Sequence, residues 1–229
     1  MHSTIKTEDG ARIYHPLLLM VYDFLIMRVL APYVWRCPAH HYTDLYRDCM
    51  SRCHADIGVG TGYVLDRCAY APGQVRIALF DLQLNCLRFT ARRLARFNPA
   101  LYQCDAMQSM RVGAGRFDSI GMGGLLHCIP GDMREKGVVF DAIEPLLHPG
   151  TRVFGYTILN RDVAKTWFSK SAYFILHKLR VINGPNDSAS QLEQELKKRF
   201  GTVAVNVIGC VALFVAAAPR VTAHHGVSE

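Results

Sequence analysis

The feature that most constrains this chain is a pair of apolar, strand-like runs near its C-terminal end. The runs cover residues 203–208 and 210–216, and only Gly209 separates them. Two parallel neighbouring strands need a crossover connection of a dozen or more residues, whereas antiparallel strands can be joined by a tight turn. These two runs must therefore pair antiparallel, so any sheet that contains them ends in a hairpin.

Upstream of the hairpin, short apolar runs alternate with longer amphipathic segments. Such alternation predicts a parallel sheet covered by helices on both faces. Just before the hairpin, Ser188 and Gln191 have the spacing of a helix capping box, and Gly201 would end that helix. We therefore expect an α/β fold with a mostly parallel, Rossmann-like sheet and a terminal antiparallel hairpin. The predicted parallel strands cover residues 54–58, 75–80, 100–104, 117–122 and 151–158.

Residues 1–50 precede the first predicted strand and have a helical pattern. The run LLLMVYDFLIMRVLAP is apolar on nearly every face, broken only by Asp23 and Arg28. It is too short to span a membrane and has no Lys or Arg cluster beside it, so burial beneath a cap is favoured over membrane attachment. The predicted division is an N-terminal helical cap or lid at 1–50, a ligand-binding domain at 51–217 with a substrate-cap insertion at 160–187, and a flexible tail at 218–229.

Composition and charge narrow the possible functions. Half of the 229 residues are hydrophobic and 20% are charged, as in one globular domain. Because the chain shows neither a membrane-spanning apolar segment nor a signal peptide, we expect a cytoplasmic protein. The net charge of +7 could attract nucleic acid, but the densest basic cluster lies on an ordinary amphipathic helix, so no nucleic-acid partner is expected. The 8 cysteines lack zinc-like spacing, so neither a metal site nor disulfides are expected.

A glycine-rich loop follows the first predicted strand. Residues 54–66 read HADIGVGTGYVLD, with three glycines at alternate positions before a helix-like stretch. Glycine lets the backbone turn sharply and approach a ligand closely, and N–H groups at a helix N-terminus attract ligand oxygens. Asp81 closes the next strand, where its carboxylate can accept hydrogen bonds from both hydroxyls of a ribose. This pattern predicts a nucleoside bound across the strand ends.

Two cofactor classes compete for such a loop. The dinucleotide fingerprint GxGxxG would require a third glycine where Tyr63 stands. The order acid-x-GxGxG instead resembles motif I of class I methyltransferases, which bind S-adenosylmethionine. Asp105-Ala106 follows the third strand, where that superfamily places an acidic residue against the adenine amino group. The resemblance implies cofactor binding by Asp56, Gly58, Gly60, Thr61, Gly62, Asp81, Leu82, Asp105, Ala106 and Gly123.

The resemblance extends over almost the whole chain. Six strings look like a group of small bacterial and fungal methyltransferases that are often associated with polyketide or other secondary-metabolite pathways. The resemblance implies the class I methyltransferase fold, S-adenosylmethionine as cofactor and a small-molecule substrate, and we expect a monomer or a homodimer. The strings are YDF (22–24), WRCP (35–38), DIGVGTGYVLDRC (56–68), LLHCIPGDM (125–133), EKGVVFDAI (135–143) and IGCVALF (208–214).

The candidate catalytic residue is His127, just after the fourth predicted strand. A sulfonium methyl group is already activated, so the protein needs mainly to align an acceptor, and a general base helps if the acceptor hydroxyl has a high pKa. A structural histidine is an equally good interpretation of His127. Gly124 and Cys128 are candidate substrate contacts, although a lone cysteine is more often a small buried residue. Tyr14 and Tyr22 would line the mouth of the cofactor or substrate site if the first helix folds over it as a lid. For Tyr22, which lies within an apolar run, packing in the core is a slightly better interpretation.

Two departures from the family pattern bear on function. The family carries Asn and Tyr just before LLHC, where this chain has Gly123-Gly124, and the string RVINGPND at 180–187 also differs. The two missing side chains would widen the pocket or indicate chemistry other than methyl transfer. The leading hypothesis is O-methylation of an enol or phenol. A cyclisation or rearrangement in an enzyme that still binds S-adenosylmethionine, and a non-catalytic binding module, are the alternatives.

Overall fold

The computed structural model describes residues 23–68 and 75–220, which form one mixed β-sheet and its covering helices. The strand order across the sheet is 3-2-1-4-5-7-6. The first five strands pair in parallel, and the seventh pairs antiparallel with both the fifth and the sixth. The predicted sheet is therefore confirmed. Its strands are β1 (Cys53–Ile57), β2 (Arg76–Asp81), β3 (Ala100–Gln103), β4 (Ser119–Gly123), β5 (Arg152–Ile158), β6 (Phe200–Ile208) and β7 (Val211–Pro219).

Helices cover both faces of the sheet. The first helix, α1, has wide turns of the π type and contains Pro32. The Trp35 N–H at its end donates to the Leu30 carbonyl at 2.8 Å. Short 3₁₀ turns occupy Ala95–Phe97, Leu126–Cys128 and Glu144–Leu146. The helices are α1 (Leu25–Val34), α2 (His40–Cys49), α3 (Tyr63–Arg67), α4 (Leu84–Arg93), α5 (Met133–Lys136), α6 (Val138–Ala142), α7 (Trp167–Lys178) and α8 (Ala189–Arg199).

The hydrophobic core has two parts, one on each side of the sheet. Alternate residues of β2 divide between them, since Ala78 and Phe80 belong to one cluster and Ile77 and Leu79 to the other. Side chains of α5, α6 and α8 complete the first cluster, and those of α1 to α4 and α7 complete the second. Strands buried on both faces have continuous apolar runs, which is why the sequence shows runs instead of alternation.

The last helix and the hairpin follow each other without a loop. The Ser188 hydroxyl accepts a hydrogen bond from the Gln191 N–H at 3.3 Å, as the capping pattern predicts. The prediction that Gly201 ends the helix is wrong, because α8 stops at Arg199 and β6 begins at Phe200. Phe200 pairs with Pro219 of β7, so residue 200 belongs to the strand and not to the helix.

The hairpin is bound to the N-terminal part of the chain. Gly209 has φ +59°, and a Cβ atom there would lie 2.2 Å from the Trp35 carbonyl oxygen. The neighbouring Cys210 N–H donates to that same oxygen at 2.8 Å. Glycine at 209 is required both by its backbone conformation and by this close approach.

Residues 160–187 leave the sheet and return to the same place. Asn160 and Arg161 both donate a backbone N–H to the Asp187 carbonyl, at 3.0 and 2.9 Å. The excursion carries α7, and the Asn183 N–H donates to the His127 carbonyl at 2.7 Å. At the other predicted boundary, β7 continues two residues beyond position 217, to Pro219. Among the residues described, no helix has the length and apolarity needed to cross a membrane.

Candidate functional site

The carboxyl ends of the five parallel strands meet at one edge of the sheet. Between β1 and β4 the strand order reverses direction, and open α/β sheets bind ligands in the crevice at such a point. The loops after β1 and β4 touch there, because a Cβ atom at Gly58 would lie 2.7 Å from Leu125 Cδ1. This edge contains every predicted site residue that the structure describes except Asp56, which lies within β1.

The glycine loop owes its shape to left-handed backbone. Gly58, Gly60 and Gly62 have φ of +71°, +51° and +66°, a region that other residues rarely adopt. A Cβ atom at Gly62 would lie 2.5 Å from Thr90 Cγ2, whereas one at Gly60 would meet nothing within 4 Å. Gly58 and Gly62 are therefore packed against protein, and Gly60 alone faces open space that a ligand can enter.

Asp81 joins the glycine loop to the end of β2. Its Oδ2 accepts a hydrogen bond from the Gly60 N–H at 3.2 Å, and its Oδ1 accepts one from the Gln83 N–H at 2.8 Å. Burial raises the pKa of this carboxyl, and the backbone donors of Gln83 and Gly60 oppose that rise. Each carboxylate oxygen has a second lone pair, so Asp81 can still accept two further hydrogen bonds.

Asp56 lies beneath the loop and not at its surface. It is only 4% exposed, and its Oδ2 is 3.8 Å from His54 Nε2. Burial, followed by the charge of Asp56 and a hydrogen bond to it, raises the pKa of Tyr46 well above its usual value. Contact of Asp56 with a ligand would have to be indirect.

Thr61 takes part in a contact that sequence reasoning missed. Its hydroxyl donates to Asp23, whose other carboxylate oxygen pairs with Arg93 at 2.8 Å. Arg93 also donates to the Thr61 carbonyl at 2.8 Å. The only sequence signal was Asp23 itself, since a carboxylate within an apolar run needs a partner when it is buried.

Leu82, Asp105 and Ala106 follow β2 and β3 on the same side of the crevice. Leu82 is exposed, and its carbonyl accepts from the Gln103 side chain at 3.1 Å. Asp105 Oδ1 accepts from the Met107 N–H at 2.9 Å, a bond that fixes the turn after β3. Half-buried Ala106 packs against the core.

Gly123 and Gly124, at the end of β4, lie against two tyrosines. A Cβ atom at Gly123 would lie 2.6 Å from Tyr46 Oη and 3.0 Å from Tyr156 Cε1. The Tyr156 ring stacks on Tyr42 with centroids 4.1 Å apart, so it is held in place. The expectation that the two glycines widen the pocket is wrong at Gly123, because aromatic side chains from other elements fill that volume.

His127 has one ring nitrogen engaged by the backbone. The Ile158 N–H donates to His127 Nδ1 at 3.3 Å, and the Thr157 hydroxyl is 3.5 Å from the same atom. Burial and then the charge of Lys136 lower the pKa of His127 to about 3, so the imidazole is neutral at physiological pH. Since Nδ1 faces a donor, we assign the ring proton to Nε2. In this tautomer His127 donates a hydrogen bond at Nε2 and has no free lone pair there.

The remaining candidate substrate contacts are Cys128, Tyr14 and Tyr22. Cys128 is exposed beside the crevice, and its thiol donates to the Gly124 carbonyl at 3.4 Å. The Asn183 side chain donates to the Cys128 carbonyl at 2.9 Å, so the 160–187 excursion contacts this turn as well as His127. Tyr14 and Tyr22 lie outside the described residues. Within 23–68 and 75–220, no cluster of three or more His, Cys, Asp and Glu side chains could hold a metal ion.

Comparisons with known proteins give a consistent result. The chain is 31% identical to demethylluteothin O-methyltransferase of Streptomyces thioluteus over 206 residues, covering 90% of each chain. It is 33% identical over 222 residues to a physcion biosynthesis cluster O-methyltransferase of Aspergillus chevalieri, covering 96% of this chain and 100% of the relative. No protein-family model matches the sequence.

A solved structure shares the fold. Human N-acetylserotonin methyltransferase in complex with S-adenosylmethionine superposes with a TM-score of 0.63 at 14% identity, over 93% of this chain. The present chain spans 60% of that protein's length. At this identity the likeness concerns the fold alone.

Proposed function

We propose an acceptor class and residue roles for this chain, starting from the fact that it belongs to the S-adenosylmethionine-dependent methyltransferases of secondary metabolism. Relatives that are more than 30% identical over at least nine tenths of the chain show the family. The protein is therefore a methyltransferase with S-adenosylmethionine as its cofactor. What remains to be proposed is which residues bind this cofactor and what is methylated.

The residues at the strand ends fit this cofactor. The open space at Gly60 lets a ligand approach the backbone without meeting a side chain, and Asp81 has lone pairs left for two ribose hydroxyls. When bound, S-adenosylmethionine supplies an electrophilic methyl group on its sulfonium sulfur. Asp56 would support the loop from beneath. We assign direct binding to Gly60, Asp81, Leu82, Asp105 and Ala106, and to the peptide groups of Gly58, Thr61, Gly62 and Gly123, since the Cβ sides of those three glycines face protein and the Thr61 hydroxyl is engaged by Asp23.

We infer that the acceptor is an oxygen of an enol or phenol on a polyketide-like small molecule. The observation that carries this proposal is the hydrogen bond from the Ile158 N–H to His127 Nδ1, from which we assign N–H, not a lone pair, to Nε2. Acidic hydroxyls such as enols and phenols can lose their proton to water and need no strong base from the protein. The two relatives are O-methyltransferases by name, which agrees with an oxygen acceptor.

His127 would then orient the acceptor instead of deprotonating it. Its Nε2–H donates a hydrogen bond to the ionised acceptor oxygen, and the Ile158 N–H holds the ring in that orientation through Nδ1. Gly124 and Cys128 adjoin His127 and would contact the acceptor. The 160–187 excursion would close over them as a substrate cap.

We also propose a cellular location and an oligomeric state. We propose that the protein acts in the cytoplasm, where the reducing environment suits its unpaired cysteines. A monomer or a homodimer remains our expectation. A cyclising enzyme that only binds S-adenosylmethionine is not favoured, since the relatives are methyltransferases by name.

The test is incubation of the full-length protein with methyl-deuterated S-adenosylmethionine and a panel of phenols, enolised 1,3-diketones and aromatic amines. We expect S-adenosylhomocysteine release and a labelled ether from a phenol or enol, detected by mass spectrometry. Label on nitrogen would contradict the oxygen acceptor but keep the family. Confirmed cofactor binding without any label from the panel or from an extract of the source organism would contradict methyl transfer.

A further inference from the structure

Helix α7 has a fixed inner side. Thr166 caps it by accepting the Ser169 N–H at 3.2 Å, and Ser169 and Tyr173 are buried toward the rest of the protein. The Ser169 hydroxyl donates to the Val34 carbonyl of α1, so α7 packs on the end of that helix. These contacts fix the orientation of α7 about its axis, so they also fix which of its side chains face outward.

The outer side of α7 is unusually apolar for a surface helix. Trp167, Phe168, Phe174 and Ile175 are each more than half exposed, as is Leu179 just beyond the helix. The Trp167 and Phe168 rings stack with centroids 3.7 Å apart. The exposed side of a helix is ordinarily polar, and a group of large exposed apolar side chains on one helix marks an interaction surface.

The charges on the same side are all positive. Lys170, Lys178 and Arg180 are exposed, and the sequence between 163 and 186 contains no Asp or Glu. No described carboxylate forms an ion pair with any of the three. Lys178 lies over the Phe174 ring at 4.6 Å, so cations and aromatic rings are interleaved. We call the outer residues Trp167, Phe168, Lys170, Phe174, Ile175 and Lys178 the α7 face.

Helix α1 adds side chains of the same kind. Leu25, Val29 and Tyr33 are exposed at intervals of four, together with Arg28. Residues 24–43 contain no Asp or Glu either. The sequence of α1 by itself lacked the cations expected beside a membrane-binding helix. In the fold, α7 with its cations contacts the end of α1, although it lies more than 130 residues further along the chain.

We propose that the α7 face docks on an anionic lipid bilayer and holds this methyltransferase at the membrane surface. Aromatic and aliphatic side chains enter the headgroup region while Lys and Arg pair with lipid phosphates, the combination typical of interfacial helices. A second copy fits less well, because a two-fold interface places the same patch on both subunits and opposes their cations. This proposal concerns binding only and does not depend on the acceptor proposed above.

The test is co-sedimentation of the full-length protein with vesicles of phosphatidylcholine, with and without phosphatidylglycerol. We expect binding to the phosphatidylglycerol vesicles that weakens as salt is raised. Phe174→Glu/Ile175→Glu and Lys170→Glu/Lys178→Glu should each reduce vesicle binding about tenfold or more. The matched controls are Val112→Glu/Val138→Glu, at two exposed apolar positions elsewhere, and Arg88→Glu/Arg92→Glu, on the exposed side of α4, and each changes the net charge as much as the variant it is matched to.

The controls should bind vesicles like the wild type, and all variants should keep the wild-type melting temperature and cofactor affinity. Equal loss in Arg88→Glu/Arg92→Glu would overturn the proposal in favour of nonspecific charge attraction. No wild-type binding, or equal binding to vesicles lacking phosphatidylglycerol, would also overturn it. Light scattering measures the oligomeric state. A wild-type dimer that the Phe174→Glu/Ile175→Glu substitution dissociates would overturn the proposal and identify a second copy of the chain as the partner of the α7 face.

Discussion

The loops after β1 and β2 are held in shape mainly by their backbone conformation and backbone hydrogen bonds. The ends of β4 and β5 are instead held in shape by contacts with distant elements. On the first side, glycines with positive φ and the two N–H bonds to Asp81 fix the geometry. On the second side, Tyr46 and Tyr156 fill the space beside Gly123, and the Ile158 N–H orients His127. The side that we propose for the cofactor is therefore determined by local sequence, and the side that we propose for the acceptor by the assembled fold.

The largest effect should come from Gly62→Ala on the cofactor side. Alanine at φ +66° with its Cβ 2.5 Å from Thr90 Cγ2 should lower the free energy of unfolding by about 3 kcal/mol, measured by urea denaturation. The matched variant Gly60→Ala has similar backbone strain but no clash, so it should lose only about 1 kcal/mol. Equal losses would show that packing against Thr90 is unimportant.

The next effect tests the ribose assignment. We expect Asp81→Ala to weaken S-adenosylmethionine binding by about 2 kcal/mol in titration calorimetry, the scale of charge-assisted hydrogen bonds. Asp81→Asn keeps an acceptor oxygen and should lose less. Unchanged affinity in Asp81→Ala would remove Asp81 from the cofactor site.

On the acceptor side, Gly123→Ala should lower the unfolding free energy by about 1.5 kcal/mol, because the new methyl group meets Tyr46 Oη in a packed site. In a Tyr46→Phe background the same substitution should cost clearly less. Gly201→Ala is the control, since its Cβ would meet nothing closer than 3.4 Å. The absence of any coupling between positions 123 and 46 would contradict the account of the filled volume.

The smallest effect concerns His127. We expect His127→Ala to lower kcat about tenfold with unchanged cofactor affinity, as for the loss of one positioned hydrogen-bond donor. His127→Gln, which retains a side-chain N–H, should recover part of that rate. A general base would not be replaced by glutamine, so an equally inactive His127→Gln would favour the base role.

The pH dependence gives an independent test of the same residue. With its pKa lowered to about 3, His127 should produce no inflection in kcat between pH 6 and 7. Below the usual histidine pKa the unfolded chain binds a proton that the folded chain does not, so stability should fall as pH drops from about 6.5 toward 3. A His127 resonance that titrates near pH 6.5 in NMR would contradict both expectations.

The sequence was sufficient for the sheet, and insufficient for the contacts between distant elements that surround the proposed binding sites. Strand runs and the Gly209 turn led to the observed sheet because pairing direction follows from connection length. The contact between Asp23 and Arg93 could not be found that way, since they approach only when α4 packs beside the N-terminal segment. The filling of the space at Gly123 depends likewise on Tyr46 from α2, which no local pattern indicates.

The bond between Cys210 and the Trp35 carbonyl has a consequence for the order of assembly during synthesis. Cys210, one of the residues that bind the end of α1, leaves the ribosome only after nearly all of the described chain has been made. Strands β1 to β5 can pair before then, and α7 can bind the end of α1, but the Trp35 carbonyl has to wait for the final hairpin. The end of α1 is thus fully bound only when nearly all of the described chain has been synthesised, so this contact is among the last of the fold to form.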